Sequence, residues 1–346
     1  MNEFFSTYND SNQYDWKEIE KKIQNNNIIM VTYSGVNKKD KTDYIYVKSI
    51  NINSKNQTSN YYKQIIKQTF FIISLKNKNC FPKNIIVMLS KNEEYLYLIY
   101  KGNNIPLNYL INAKNANYLN NNDLIKWIIY QITFGLFVLH SNNIIHHDIK
   151  ASNILINEEG NIFISGFETA IFKFEESISF SLPYSSPELL INLKVDEKTD
   201  MWNLGIIILE LFCKTSKILY NKDINDKDNQ IKYILSKFGI TENYSNEDLK
   251  DLLNNNKNIE LKIEKKILDN IGDKDAINLI NNLIVFNPNK RYSAKEVLES
   301  EYLKEFKDSL DIEPIEYPIN YNEISKGVID HRKFIELIKK LIDKNK

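Results

Sequence analysis

Between the apolar pairs Ile144-Ile145 and Ile154-Leu155 the chain carries His146, His147, Asp148, Lys150, Ser152 and Asn153. A carboxylate, a cation two residues on and an amide three further, framed by side chains that favour burial, describe a polar loop pinned between two buried segments. Such a loop holds its side chains at fixed separations, as acid–base and ligand-holding chemistry requires. Further polar residues stand out downstream: Glu188 after Ser186-Pro187, Asp200 ahead of Trp202 and Gly205, and Arg291, one of only two arginines, the other being Arg332. Cys80 and Cys213 are the only cysteines, too few for a disulfide scaffold or a cysteine zinc site and consistent with a reducing compartment.

These residues need elements to place them. Runs rich in β-branched and aromatic residues predict strands at Ile28–Tyr33, Tyr44–Val47, Ile85–Met88 and Tyr95–Tyr100. One helix is expected among them over Tyr61–Leu75, where Ile65, Ile66, Thr69, Phe70 and Ile73 recur at helical spacing. After Gly102 the period becomes helical, with Leu124, Ile128, Ile132, Leu136 and Leu139 on one face of a helix ending near His140. More helices are predicted over Lys198–Phe212, Asn229–Phe238, Asp275–Val285 and Ala294–Lys304. A last one, Asp330–Asp343, bears the stripe Phe334, Leu337, Ile338, Leu341 and Ile342, which needs a surface to cover.

Composition bounds the partners. At 346 residues, 42% hydrophobic and 26% charged, the chain can bury an ordinary core as one large domain or two. Forty-five basic residues balance forty-five acidic ones, so no global field draws it to nucleic acid or anionic lipid. Its continuous apolar runs are shorter than the roughly 18 residues of a membrane span, and Met1–Phe5 shows neither a secretory pattern nor a glycine for acylation. A cytoplasmic location and a protein partner or substrate, with no nucleic acid and no membrane, are the expectation.

The segment His146–Asn153 resembles the catalytic loop H-R-D-x-K-x-x-N of the eukaryotic protein kinases. Other family signatures follow in order: Ser186-Pro187-Glu188 resembles A-P-E, Asp200–Gly205 resembles D-x-W-S-x-G, and Asn287–Arg291 resembles the late P-x-x-R. The resemblance implies a two-lobed α+β protein kinase-like fold: a flexible N-terminus at 1–13, a small β-rich lobe at about 14–102, a larger helical lobe at about 103–308, and a tail at 309–346. It also implies a Glu188–Arg291 ion pair, Asp200 bound to the backbone of the loop, and His146 packed under Phe167. For chemistry it implies Asp148 as proton acceptor, Lys150 beside the transferred phosphate, Asn153 as metal ligand, and ATP with magnesium as cofactors. Lys150 is similar to the serine/threonine branch, and His147–Leu155 looks most like the Ste20-like group.

Several parts depart from the family pattern. The metal-binding D-F-G, eighteen residues past the catalytic aspartate, falls on Gly166-Phe167-Glu168, so a glycine stands in for the aspartate. Glu168 is an alternative metal carboxylate or an ordinary loop residue. Ile45-Tyr46-Val47-Lys48 resembles V-A-x-K, making Lys48 either the phosphate lysine or a solvated strand lysine, and Tyr46 a bulky occupant of adenine space. The glycine-rich loop is expected within Val31–Lys39, where only Gly35 occurs. The helix Tyr61–Leu75 offers Gln64 and Gln68 but no glutamate for Lys48, and His147 replaces the arginine that would anchor a phosphorylated Ser177, Ser179 or Ser181. The expected function is a pseudokinase, a catalytically impaired protein-binding or allosteric module. The alternative is a slow or unconventional ATP-dependent serine/threonine kinase using Asp148, Asn153 and Glu168. A small-molecule phosphotransferase fits less well, because the Ser186-Pro187-Glu188 and Asp200 signatures resemble the protein-directed branch.

Overall fold

In the computed structural model the described residues are all but 1–3, 5–7, 25–26, 54–56, 77, 114–116, 176–181, 217, 241, 243, 307–314 and 346. Ser177, Ser179 and Ser181 thus lie outside the described residues. The chain has α+β architecture in two compact units: residues 1–104, 157–159 and 315–346, and residues 105–156 and 160–314. Helices of nine residues or more are numbered α1 (Ser59–Leu75), α2 (Asn122–Ser141), α3 (Lys198–Cys213), α4 (Lys227–Lys237), α5 (Asn246–Asn254), α6 (Lys274–Leu283) and α7 (His331–Asn345).

The first unit is built on an antiparallel sheet of β1 (Tyr14–Gln24), β2 (Asn27–Asn37), β3 (Tyr44–Asn51), β4 (Ile85–Leu89) and β5 (Tyr95–Lys101), in the order β1-β2-β3-β5-β4. Strand alternation divides β3 between two faces. Ile45 and Val47 are buried in a cluster with Phe4, Tyr8, Tyr14, Tyr97 and Ile99, whereas Tyr46 and Lys48, on the opposite face, are only half-buried. Phe4 and Tyr8 belong to the stretch expected to be a flexible terminus. Here the Phe4 ring lies 5.3 Å from Trp16 and 5.2 Å from Tyr97, and Asn9–Gln13 forms a 3-10 turn to which the Trp16 indole is tied by donating to the Ser11 carbonyl at 2.8 Å. Strand β1 is a second addition to the expected elements. Lys17, Glu18, Glu20, Lys21 and Lys22 hide its alternation, and such charges suit a strand at the sheet edge, where they blunt pairing with other chains.

Helix α1 starts at Thr58, whose side chain accepts from the Tyr61 N–H, and buries Ile65, Ile66, Phe70 and Ile73. Helix α7 packs on α1 and beside β4, and its Phe334, Leu337, Ile338 and Leu341 are fully buried. The apolar stripe of the C-terminal helix therefore has its cover within its own unit.

The second unit places short strands between helices: β6 (Ile105–Pro106), β7 (Ile144–Ile145), β8 (Ile154–Ile156), β9 (Ile162–Ile164) and β10 (Ile171–Phe172). Sheet β6-β8-β9 and the pair β7-β10 are both antiparallel. Helix α2 is capped by Asn121, whose side chain accepts from the N–H groups of Asp123 and Leu124. By length and composition α2 is apolar enough to cross a membrane, yet Ile128, Ile132, Leu136 and Leu139 are fully buried in this unit, as befits a core helix. Every residue of α3 from Thr199 to Leu211 is buried, which makes it the central helix of the unit.

Candidate functional site

The loop His146–Asn153 is clamped between β7 and β8, whose isoleucines are buried. Asp200, near the start of α3, fixes its entry: Oδ2 accepts from the His146 N–H and Oδ1 from the His147 N–H, both at 2.9 Å. The His140 ring also lies 3.0 Å from Asp200 Oδ2. Burial alone pushes the Asp200 carboxyl up, but the His140 hydrogen bond and the surrounding histidine charges outweigh it and hold the group below the usual carboxylate range. These bonds hold His147 at a φ of +65°, in the left-handed region.

His146 is fully buried against Phe167, ring centroids 4.9 Å apart. Its Nε2 donates to the Ser165 carbonyl at 2.9 Å and its Nδ1 accepts from the Asp148 N–H at 3.3 Å, so both ring nitrogens are used by a neutral imidazole. Burial pushes its pKa down, in keeping with that tautomer. The ring splints the loop to the strand end that precedes position 166.

Asp148, Lys150 and Asn153 come together. Asp148 Oδ2 takes the Lys150 ammonium at 2.7 Å and the Asn153 amide at 2.8 Å, while the same amide nitrogen also donates to the Asp148 carbonyl at 2.8 Å. Asp148 Oδ1 is buried and meets no hydrogen-bond donor among the described residues. Gly166 sits at φ +84°, and a Cβ placed on it would lie 2.5 Å from Asn153 Cγ and 2.7 Å from Asn153 Oδ1. The asparagine side chain thus occupies the space that a residue-166 side chain would need.

Glu188 and Arg291 form the expected pair in bidentate geometry, with guanidinium nitrogens 3.0 and 3.1 Å from the two carboxylate oxygens. Both are buried, and the guanidinium also lies over the Trp202 ring at 5.3 Å. Burial would raise the Glu188 pKa, but the Arg291 charge and hydrogen bonds hold it below the usual range.

Sequence reasoning missed a third buried carboxylate. Glu210 in α3 is 1% exposed, and both its oxygens accept from the Tyr184 hydroxyl, at 2.9 and 3.0 Å. Burial pushes its pKa up to about 8, against only the hydroxyl contact that lowers it. A single charge inside the apolar run Ile206–Phe212 was the signal that pointed to it.

In the first unit, Lys48 shares its strand face with Tyr46, and β5 sets Leu98 opposite Lys48 and Tyr100 opposite Tyr46. Gln68 of α1 is buried, whereas Gln64 is exposed. The expected place of the glycine-rich loop needs correction. Val31–Asn37 lies within β2, and the β1–β2 connection falls at residues 25–26, outside the described residues, in a stretch Gln24–Asn27 that contains no glycine. Gly35 serves the packing of the sheet instead. A Cβ there would lie 2.8 Å from Ile45 and 2.9 Å from the Trp16 ring, so the glycine makes room for the indole.

Residues 30–303 match the family profile "Protein kinase domain". The chain belongs to the protein kinase domain family. It is 30% identical over 224 residues to mitogen-activated protein kinase pmk-1 of Caenorhabditis elegans, covering 62% of this chain and 58% of that one. It is 26% identical over 291 residues to extracellular signal-regulated kinase 2 of Dictyostelium discoideum, covering 79% and 74%. Mitogen-activated protein kinase 12 of Rattus norvegicus matches at 27% over 197 residues, covering 55% and 52%. The matches thus span between about half and three quarters of these relatives' lengths. None of the three lends support to a Ste20-like subgroup.

Protein kinase domains normally use ATP and magnesium, the metal being held by carboxylate and amide oxygens. The residues around Asn153 do not fit that cation well. Gly166 supplies no oxygen-bearing side chain, and Asn153 fills the space at position 166.

Proposed function

We propose that this kinase domain is a pseudokinase: a protein-binding or allosteric module that does not carry out efficient phosphoryl transfer. The observation that carries the reading is the packing at position 166, where a glycine replaces a carboxylate and the Asn153 side chain takes up the room. A missing magnesium carboxylate forfeits several kcal/mol of transition-state stabilisation, and ~4 kcal/mol is already about a thousandfold in rate. The glycine-free stretch Gln24–Asn27 and the tyrosine pair Tyr46 and Tyr100 on the Lys48 face support weak nucleotide binding. The partner proposed is another protein, and the location proposed is the cytoplasm.

The test is thermal unfolding with and without millimolar ATP and magnesium, since a ligand at 100 times its dissociation constant adds about 2.7 kcal/mol. The expected result is no shift for the parent and a shift for Tyr46→Ala. A clear shift in the parent sinks the nucleotide part of the proposal.

A second reading, a slow serine/threonine kinase, is favoured by one observation: Asp148 Oδ1 is buried without a donor among the described residues, as a proton acceptor awaiting a hydroxyl would be. Phosphorylation of a protein substrate by the parent, abolished in Asp148→Asn, would establish it.

A further inference from the structure

The first unit is closed by the end of the chain. Tyr317 stacks on Phe70 of α1 with centroids 5.4 Å apart, Tyr321 lies 5.5 Å from the same ring, and Phe334 lies 4.8 Å from Tyr62. Between these two apolar holds, the linking segment Ser325–Asp330 is tied to the first turns of α1 by two polar contacts. The Ile329 N–H donates to Ser59 Oγ at 2.9 Å, and the Lys63 ammonium donates to the Ser325 carbonyl at 3.2 Å. Ser59 and Lys63 are four residues apart, one above the other on the same helix face.

The joint is not fully satisfied. The Tyr62 hydroxyl and His331 Nε2 are buried there without hydrogen-bond partners among the described residues, their rings 5.9 Å apart by centroids. Unmade polar contacts of this kind cost free energy in the docked state, so the segment is held less firmly than its apolar stripe alone would hold it. Ser59 itself is half-exposed, beside the exposed Thr58.

We propose that Ser59 is a phosphoacceptor site whose modification unlatches the C-terminal segment from α1. A separate serine/threonine protein kinase with bound ATP supplies the group. Ser59 Oγ attacks the γ-phosphorus, the bond from that phosphorus to the bridging oxygen breaks, ADP leaves, and the hydroxyl proton passes to that enzyme's base. The product carries close to two negative charges. Three contacts then change together. The phosphoryl group crowds the oxygen on which the Ile329 N–H now sits. The Asp330 carboxylate, adjacent in sequence to Ile329 and close enough to Tyr62 to add to the effect of burial on that phenol, meets a like charge. Lys63 gains an anionic partner one turn away on its own helix and is drawn from the Ser325 carbonyl. The inference does not depend on whether this domain transfers phosphate itself.

The experiment installs phosphoserine at position 59 of the full chain by genetic encoding and follows amide hydrogen exchange. The expected result is that exchange in α7 speeds by tenfold or more while α2 exchanges as in the parent, and that Ser59→Ala, which removes one contact without adding charge, speeds α7 by less than threefold. Exchange in α7 within twofold of the parent overturns the proposal. So does equal acceleration in α2, which would signal general unfolding rather than release. Mass spectrometry of the protein isolated from its own cells provides the second arm: phosphate on Ser59 supports the assignment, and its absence under every growth condition sampled overturns it.

Discussion

Replacing Gly166 by Ala isolates the contact that most separates this loop from a metal-holding one. The new Cβ would sit 2.5 Å from Asn153 Cγ, a distance no real pair of carbons keeps, so the asparagine must swing away. That movement breaks the amide's bonds to the Asp148 carboxylate and carbonyl, both 2.8 Å. Hydrogen bonds to charged groups contribute about 1.5 to 3 kcal/mol and neutral ones about 1. An alanine at φ +84° adds about 1 kcal/mol of backbone strain. The expected loss is therefore about 3.5 to 5 kcal/mol, or roughly 7 to 20 °C in melting temperature for a unit of this size. Thermal denaturation followed by circular dichroism reads it. Combining Gly166→Ala with Asn153→Ala should cost less than the sum of the two, by about 1 to 3 kcal/mol, because the second change removes the obstacle to the first. Gly166→Asp should lose stability similarly and gain no phosphoryl transfer. A Gly166→Ala protein that melts within about 1 °C of the parent, well inside the shift expected, or additive single effects, would refute the packing argument.

Glu210→Gln tests the buried carboxylate that rests on the Tyr184 hydroxyl. Its folded pKa is raised to about 8, so the folded state keeps a proton that the unfolded chain releases above its ordinary carboxylate pKa. The parent's stability contribution from this group is thus full in acid and falls as pH rises through the ordinary carboxylate range to about 8. By size of shift this is on the order of 4 to 5 kcal/mol. Urea midpoints measured across the neutral range, from mildly acidic to mildly alkaline, should decline less in the glutamine variant, and parallel curves would contradict the assignment. Arg291→Lys should lower stability by about 2 to 4 kcal/mol, since an ammonium cannot make the bidentate contact to buried Glu188 or stack over Trp202. A melting temperature unchanged by that substitution would mean the pair contributes little.

The loop was legible in the sequence because its informative residues are rare types in a short span. Asp148, Lys150 and Asn153 sit within six positions, and Arg291 stands in a chain that otherwise uses lysine. Helical periodicity located α1, α2 and α3 to within a few residues, since long apolar faces tolerate uncertain ends. Strand β1 stayed hidden because alternation is carried by charges wherever one face of an edge strand meets water. Phe4 was illegible for another reason: an isolated apolar pair near a terminus has no period, and only the sheet surface that Phe4 covers gives it meaning. Gly35 misled in the opposite direction. A glycine near the start of such a domain suggests a phosphate loop, but here the residue is defined by a cross-strand indole, a partner that no local pattern reveals.

The loop residues themselves do not decide between scaffold and chemistry, because nearly every one has a structural role. Asp200 holds the backbone, His146 ties the loop to Ser165, and Asn153 bridges side chain and carbonyl of Asp148. Asp148 differs, since one oxygen is used twice and the other, though buried, meets no donor among the described residues. Asp148→Asn separates the two roles by stability alone. The amide oxygen can replace Oδ2 as acceptor, but the Lys150 ammonium loses its ion-pair partner and the Asn153 contact becomes neutral on both sides, which costs about 1 kcal/mol each. A purely structural Asp148 therefore predicts a loss of about 2 kcal/mol, or roughly 4 to 8 °C. Against this stands removal of the buried charge at Oδ1, since a carboxylate oxygen without a donor costs about 1 to 3 kcal/mol or more in the parent and a neutral amide group in its place costs less. If the residue is held at a cost for a reaction, the two terms cancel and the variant melts at or above the parent. The pseudokinase proposal expects the drop, and an unchanged or higher melting temperature would shift the balance to the slow kinase.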